Sequence, residues 1–304
     1  MAPLADAAKE TQLSVPEGVL LGHALAARVA DSLGVRAFFI KGPASLIQGL
    51  RKPKLSADVD VFVSPASLER MLQGLRERGW QKRPADPDNK TFPKHSVTLQ
   101  HHDWPCCIDV HFRFPGMENP AAECFEVIWA STNNLDLSGQ ELRVPSEALG
   151  ILILALHALR SPWLSASRRE LEFLAHLTER QAHASAILEI ATATGSLAAI
   201  RPFLDDLLPE TAAPEWPKPS IEWGNRIVAK EPGSARLIAI VQASWRDKPM
   251  MLWRAVFPQS EVFLNRNIYA DMSLRGRLLQ HWARWARFLR SVPHIVRDLK
   301  RNSD

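Results

Sequence analysis

The chain contains few cysteines: there are only three, and two of them, Cys106 and Cys107, are adjacent. This usage provides neither a disulfide framework nor the ligand spacing of a zinc site. Long apolar runs are missing as well, since the longest, residues 148–156, is about half of what a helix needs to cross a bilayer. The first ten residues include acids where a secretory signal has a basic and then an apolar segment. We therefore expect a cytoplasmic protein without a transmembrane segment.

Several common active-site motifs are also missing. The sequence has no Gly-x-Gly-x-x-Gly turn, no Walker phosphate loop and no Gly-x-Ser-x-Gly elbow. The length of 304 residues allows one large or two ordinary domains. The apolar content of 46% is normal for a globular protein with a core, and the net charge of +4 is modest.

The periodicity of the apolar residues changes once along the chain. Up to about residue 145, short apolar strands alternate with helical segments, and from Pro145-Ser146 onward the spacing is helical almost throughout. We therefore predict an α/β (α+β) domain with a small mixed sheet at residues 1–145. An all-α domain is predicted at residues 146–304, ending in a basic amphipathic helix.

Two aspartates stand out in residues 56–63. Asp58 and Asp60 alternate with valines, and this period of two predicts a strand with both carboxylates on one face. Two ionised carboxylates that close together repel each other unless a cation lies between them. The pair therefore predicts a divalent metal site.

A third aspartate, Asp109, lies on a later predicted strand, where it shares a face with His111 and Arg113. If this strand pairs with the one that carries Asp58 and Asp60, three carboxylates converge. Such a triad can hold two Mg²⁺ ions, which clamp the attacking and leaving oxygens of an in-line phosphoryl or nucleotidyl transfer.

The segment Lys41-Gly42 lies between a predicted strand and a predicted helix. Backbone N–H groups at such a turn would face incoming phosphates, and the lysine adds a positive charge beside them. This is the arrangement expected of a triphosphate-binding turn.

Together, Lys41-Gly42, Asp58-Val59-Asp60-Val61 and Asp109-Val110-His111 resemble the motifs of the DNA polymerase beta-like nucleotidyltransferase superfamily. Within it, the chain is similar to a bacterial group of poorly characterised nucleotidyltransferases. That group has Lys-Gly before the first helix, Asp-x-Asp on the next strand and Asp-x-His on a later one. Phe257-Pro258 and the Arg/Trp-rich helix after it are similar to the C-terminal region of the same group.

The resemblance implies an enzyme that transfers NMP from an NTP to a hydroxyl acceptor and releases pyrophosphate. Its cofactor would be two Mg²⁺ ions, with Mn²⁺ as an alternative. Asp58 and Asp60 would bind both ions, whereas Asp109 would bind only the catalytic one and accept or steer the proton of the acceptor hydroxyl.

The resemblance also implies a nucleotide site at Lys41, Gly42 and Ser45, and this chain departs from the group's pattern there. Pro43 follows Gly42 and removes one N–H donor. Lys54 stands where the group has an arginine, which keeps the charge but loses the bidentate fork. We therefore expect weaker phosphate binding than is typical of the group, with the metal site intact.

The histidines near these motifs are harder to interpret. His111 would contact a nucleotide phosphate or a metal, or it would be an ordinary polar residue on a half-exposed strand, and both interpretations stay open. The spacing of His95, His101 and His102 matches no standard zinc site. We expect these three to be surface histidines.

The last predicted helix is amphipathic. One apolar stripe is formed by Leu278, Trp282, Trp285, Leu289 and Val292, and the other side carries Arg277, Arg284, Arg287 and Arg290. The favoured interpretation is a tail helix docked by its tryptophans onto the helical domain. The alternatives are contact of residues 275–301 with an acidic partner or nucleic acid, or with an anionic membrane surface.

Two other functional classes stay open. The first is a nucleotide-binding or catalytically idle interaction module with the same fold, and the second is a nucleic-acid-binding protein that acts through the basic C-terminal helix. The acceptor, whether a small molecule, a hydroxyl group on a peptide or protein, or an RNA end, has no recognisable motif here.

Overall fold

A computed structural model describes residues 13–83, 92–208, 214–229, 234–257, 271 and 273–301. Within these ranges the strands are β1 (Ala37–Phe39), β2 (Asp58–Val63), β3 (Gln81–Lys82), β4 (Ser96–Gln100), β5 (Cys107–His111), β6 (Thr132–Leu137) and β7 (Gln140–Pro145). The helices are α1 (Val15–Ser32), α2 (Gly42–Ile47), α3 (Leu68–Arg76), α4 (Ala121–Ala130), α5 (Glu147–Leu159), α6 (Ser165–Gln181), α7 (Ala184–Ala193), α8 (Leu197–Leu204), α9 (Ile221–Val228), α10 (Ser234–Gln242), α11 (Lys248–Val256) and α12 (Leu274–Arg301).

The first half of the chain forms a five-stranded sheet with the order β1-β2-β5-β4-β3. β2 and β5 are parallel, and the other neighbouring strands are antiparallel. β6 and β7 form a separate hairpin, and helices follow it. The predicted fold class, a small mixed sheet followed by a helical region, is confirmed.

Helix α1 packs closely against the sheet. It begins with a capping box, in which the Ser14 N–H donates to Glu17 Oε2 at 2.8 Å and the Glu17 N–H donates to Ser14 Oγ. Glycine at position 22 permits the close approach, because a Cβ there would lie 2.8 Å from Cγ2 of Val59. The ring of His23, the next residue of the helix, lies 5.2 Å from that of Phe39 in β1.

Among the described residues, the larger of two apolar clusters joins the sheet to the helical half. Phe38 and Phe62 stack with ring centroids 5.1 Å apart, and Phe125 lies 6.3 Å from Phe62. Helix α5, buried along nearly its whole length, belongs to the same cluster. Because this core continues across residue 145, a division into two domains at that point stays a prediction.

Some elements were not predicted. Strand β6 carries the exposed polar pair Asn133 and Asn134, which hides its alternation, but it pairs with β7 through a tight turn. Ser138 and Gly139 in that turn both have positive φ, which is typical of a two-residue hairpin loop. No individual helix was predicted for the stretches that form α9 and α11.

Helix length and composition give one further result. Among the described residues, no helix is both long enough and apolar enough to cross a bilayer.

Candidate functional site

The three predicted aspartates lie on one face of the sheet. In the parallel pairing of β2 with β5, Asp60 stands directly opposite Asp109, and Asp58 stands opposite Cys107. Ligand atoms of Asp60, Asp109 and His111 all lie within 4.8 Å of one another. Asp58 lies outside this group, at the exposed start of β2. The sheet register therefore brings together two carboxylates and one imidazole, with the third carboxylate beside them.

Asp60 is the most tightly held of the three. Its Oδ1 accepts hydrogen bonds from Lys41 Nζ at 3.2 Å and from His111 Nε2 at 2.8 Å. Burial alone would raise the pKa of the Asp60 carboxyl, but the hydrogen bond from His111 and the charge of Lys41 lower it well below its ordinary value. Asp60 is therefore ionised and fixed in orientation at neutral pH.

Asp109 and Asp58 lack such partners. Oδ1 of Asp109 is buried and has no hydrogen bond to any described residue, a condition that costs about 1–3 kcal/mol when nothing else compensates. The pKa of Asp58 is raised, first because its carboxyl is partly shielded from water and then by the negative charges of Asp109 and Asp60. A divalent cation among these oxygens would supply the missing partner and relieve the repulsion. The residues therefore fit a metal ion that binds to oxygen ligands.

The Lys41-Gly42 turn has unusual backbone geometry. Lys41 has φ 61° and ψ −150°, a region that residues with a side chain rarely adopt, and Gly42 also has positive φ. The turn directs the Lys41 side chain to Asp60. Ser45 is buried below it and its N–H donates to the Lys41 carbonyl, whereas Lys54 is exposed in the loop before β2. Of the predicted nucleotide-binding residues, the structure thus brings Lys41 and His111 to Asp60, but not Lys54.

His111 is buried, and its ring is parallel to that of Phe62 at 6.4 Å. The interpretation of His111 as a polar residue on a half-exposed strand is therefore wrong. Its position against Asp60 leaves a contact with metal or nucleotide as a prediction.

The prediction of three surface histidines is correct for His102 alone. His95 is partly buried with its ring 5.9 Å from that of His111, and its pKa is lowered to about 2, mainly by burial and then by the charge of Arg160. His101 packs on Trp80. Local spacing did not reveal this, because the neighbours of His95 and His101 include residues elsewhere in the sequence, such as Arg160 and Trp80.

Sequence reasoning missed a group of basic residues from the helical half. Arg160 follows the end of α5, and its pKa is lowered to about 10, first by burial and then by the charge of Arg226, while Asp60 acts in the opposite direction. No described residue forms a hydrogen bond or an ion pair with the Arg160 side chain. Arg226, in α9, donates to Glu222 at 3.1 Å and lies 4.5 Å above the ring of Phe92. The indication of this group in the sequence was Arg160 itself, a basic residue directly after the apolar helix α5.

The predicted position of Arg113 was wrong. It was expected to share the strand face of Asp109, but β5 ends at His111. The side chain of Arg113 instead donates to Glu222, the same carboxylate that binds Arg226. Arg113 therefore ties the sheet to α9.

His23 is a second residue that was missed. Its Nδ1 donates to the Val19 carbonyl at 2.7 Å, and its Nε2 is buried without a partner among the described residues. This Nε2 is 3.9 Å from where a Cβ on Gly42 would lie. Because burial lowers its pKa, His23 presents a neutral hydrogen-bond acceptor beneath the turn.

A comparison with protein families identifies the chain. A model described as an uncharacterised nucleotidyltransferase matches residues 23–204, which is more than half of the chain. The chain belongs to this nucleotidyltransferase family. The predicted resemblance is thereby confirmed, and the matched range contains every predicted site residue and Arg160.

Several solved nucleotidyltransferase structures are similar to this chain. The antibiotic-resistance factor ANT(2'')-Ia is 12% identical over 61% of this chain and 96% of its own, with a TM-score of 0.42. A nucleotidyltransferase-like protein from Paracoccidioides brasiliensis is 13% identical over 62% and 91%, with a TM-score of 0.38. The lincosamide adenylyltransferase LnuA is 9% identical over 49% and 90%, with a TM-score of 0.33. At these TM-scores we draw no functional conclusion from the similarity. Among curated proteins, none matches the sequence.

The buried histidines predict sensitivity to acid. The pKa of His157 is lowered to about 3, mainly by burial and then by the charges of Lys41 and Arg160. Since the unfolded chain binds this proton at about pH 6.5, stability contributed by neutral His157 is present above that pH and is lost as the pH falls toward 3, at up to about 1.4 kcal/mol per pH unit. Urea unfolding at about pH 7 and pH 5.5 measures this loss.

His157→Gln should lose about 1 kcal/mol less free energy of unfolding than the wild type over this interval. His102→Gln, at an exposed position, serves as the control and should behave like the wild type. Equal losses in the wild type and His157→Gln would contradict the assignment.

Proposed function

We propose that the protein transfers NMP from an NTP to a hydroxyl acceptor and releases pyrophosphate, with Mg²⁺ or Mn²⁺ as cofactor. The observation that carries this proposal is the placement of Asp60 opposite Asp109 on adjacent parallel strands, with His111 in reach of both. Membership of a nucleotidyltransferase family supports the reaction class. The unpartnered Oδ1 of Asp109 supports the presence of a cation.

In this proposal Asp60 and Asp109 hold the metal, and Asp58 completes the site from its exposed side. Two bound ions would neutralise phosphate charge and lower the pKa of the attacking hydroxyl. Asp109 orients that hydroxyl and receives its proton, because its buried Oδ1 has no described partner, whereas Asp60 Oδ1 is held by Lys41 and His111. His111 keeps Asp60 ionised and fixes its orientation.

In the proposed site, Lys41 binds both Asp60 and the triphosphate. An ammonium group has three N–H donors, and one of them is used on Asp60, so two are left for the triphosphate. Gly42 forms the turn that the phosphates approach. We assign buried Ser45 to the support of this turn and exposed Lys54 to the mouth of the site, where charge alone attracts the nucleotide.

We also propose that the two predicted domains have different roles. Residues 1–145 would carry the metal and phosphate groups, and residues 146–304 would select the acceptor and contribute Arg160. A cytoplasmic location is part of the same proposal.

The test is nucleotide binding and turnover by the purified full chain. Calorimetric titration with each NTP, with and without Mg²⁺, should show metal-dependent binding. Incubation with α-labelled NTP and pools of small hydroxyl compounds, peptides or RNA should transfer the label. The absence of metal-dependent binding for every NTP would overturn the proposal. Binding without transfer to any acceptor would favour the idle module instead.

Arg160 is expected to bind the triphosphate. Its guanidinium is partly buried and forms no hydrogen bond or ion pair with a described residue, and a charge-assisted hydrogen bond to phosphate is worth about 1.5–3 kcal/mol. Arg160→Gln should therefore weaken NTP binding by about 10- to 150-fold, whereas binding of the corresponding nucleoside should change little. Calorimetry on both ligands measures the difference.

The matched control is Arg201→Gln, which removes an arginine from an exposed pair with Asp205 and should leave NTP affinity unchanged. Arg160→Lys should recover part of the affinity, since it restores charge without the fork. An unaltered NTP dissociation constant in Arg160→Gln would exclude this role.

A further inference from the structure

Helix α12 turns its apolar side outward. Leu274, Leu278, Trp282 and Leu289 recur on one face of the helix, and they are 75%, 69%, 76% and 62% exposed. We call these four residues the outer stripe. A helix docked on the protein by this face would bury these residues, so the predicted docking by the tryptophans is wrong for Trp282, whereas Trp285 on the same face is partly buried.

Positive charge flanks the outer stripe. Arg275 and Arg290 are exposed, whereas Arg277, Arg284 and Arg287 are partly buried. Three of these five arginines are therefore less exposed than the outer stripe, the reverse of an ordinary surface helix. The only acid in α12 is Asp298, so the helix is strongly basic.

Other apolar side chains of the C-terminal region are exposed as well. Around α11, Trp245 is 76% exposed and Trp253 is 62% exposed, and Phe257 packs on Trp253 at 4.5 Å without covering it. Arg246 lies over the ring of Trp245. Exposed tryptophan and leucine beside arginine thus recur over two helices, more than scattered surface residues explain.

This combination fits a lipid surface better than a nucleic acid. Bases stack on aromatic rings, but the outer stripe is mostly leucine, which offers no stacking face. Leucine and tryptophan can instead enter the boundary between lipid headgroups and acyl chains, while arginines contact anionic headgroups. The stripe is about 22 Å long at 1.5 Å per residue and lies along the helix axis, as a helix parallel to a membrane requires.

We propose that α12 binds the surface of a membrane that contains anionic phospholipid, with the outer stripe inserted into the interface. The helix lies in the plane of the membrane and does not cross it. This attachment holds the rest of the chain at the bilayer surface. It stands independently of the proposed nucleotidyl transfer, because none of its residues belongs to the aspartate site.

Vesicle flotation of the full chain tests the proposal. Vesicles of about three parts phosphatidylglycerol to seven parts phosphatidylcholine should carry the protein upward at about 0.1 M salt, and pure phosphatidylcholine should carry at least tenfold less. The double variant Leu278→Asn with Trp282→Asn should reduce partitioning by tenfold or more. Leu164→Asn, at an exposed position far away in sequence, is the matched control and should float like the wild type.

A second variant separates charge from apolar contact. Arg275→Gln with Arg290→Gln leaves the outer stripe intact and should weaken partitioning by about fivefold for each arginine, with a smaller effect at high salt. Circular dichroism checks that both double variants keep their helices.

Three results would overturn the proposal. They are no flotation with anionic vesicles, equal flotation with neutral ones, and unchanged flotation of the Leu278/Trp282 variant. Tight binding of a single-stranded RNA oligonucleotide through the same residues, without flotation, would assign α12 to nucleic acid instead.

Discussion

Asp60→Asn is expected to abolish metal-dependent nucleotide transfer. The substitution removes a metal ligand and also leaves Lys41 and His111 without the carboxylate that both bind. Breaking a buried charge pair costs about 3–5 kcal/mol, which corresponds to about 10³-fold in turnover if the loss falls on the transition state. Pyrophosphate release and Mg²⁺-dependent NTP binding should therefore both fall to background.

The same variant should be less stable than the wild type. The free energy of unfolding is expected to fall by about 2–4 kcal/mol, because Lys41 loses its buried ion pair and His111 loses its hydrogen bond to the carboxylate. Asp103→Asn removes an exposed acid from the β4–β5 turn and serves as the control, with wild-type turnover and stability expected. An Asp60→Asn enzyme that retains more than a tenth of wild-type turnover would contradict the assignment.

Asp109→Asn is expected to separate chemistry from binding. Among the described residues, no lysine or arginine forms an ion pair with Asp109. Its buried Oδ1 has no hydrogen-bond partner and is therefore the oxygen that can receive a proton. Loss of a general base typically lowers turnover by about 10²–10⁴-fold. Because Asp60 and Lys41 stay in place, the dissociation constant for NTP should change by less than about threefold, so the loss falls on kcat.

Stability provides a second readout for this variant. Replacement of an unpartnered buried carboxylate removes a cost, so Asp109→Asn should unfold at the same denaturant concentration as the wild type or a higher one. Single-turnover kinetics and urea unfolding on the same preparation measure both quantities. A large rise in the NTP dissociation constant with kcat unchanged would assign Asp109 to binding.

The placement of Asp60 beside Asp109 was predictable because the short-range alternation of apolar residues defines both strands. The alternation in residues 56–63 and around Asp109 defines two strands, and pairing them in parallel brings Asp60 and Asp109 together. The position of His111 against Asp60 was left open, since a period of two shows which face a residue occupies but not its neighbours. Strand β6 was missed because Asn133 and Asn134 are exposed on both faces.

The contribution of the helical half could not be predicted. The charges of Arg160 and Arg226 act on His95 beside the site because the fold brings the end of α5 and part of α9 near it, and nothing in their local sequence encodes that proximity. For the outer stripe, the sequence showed the apolar face but not what contacts it. An apolar helix face indicates that something covers it, but whether the cover is the protein itself or a membrane depends on how the helices assemble.

The most direct measurement is a crystal structure of the full chain with a nonhydrolysable NTP and Mn²⁺, whose anomalous scattering locates the ion. We expect Mn²⁺ within about 2.0–2.3 Å of carboxylate oxygens from both Asp60 and Asp109, with the α-phosphate beside it. Nucleotide bound with the ion elsewhere, or with the two carboxylates turned away from it, would contradict the proposed transferase centre.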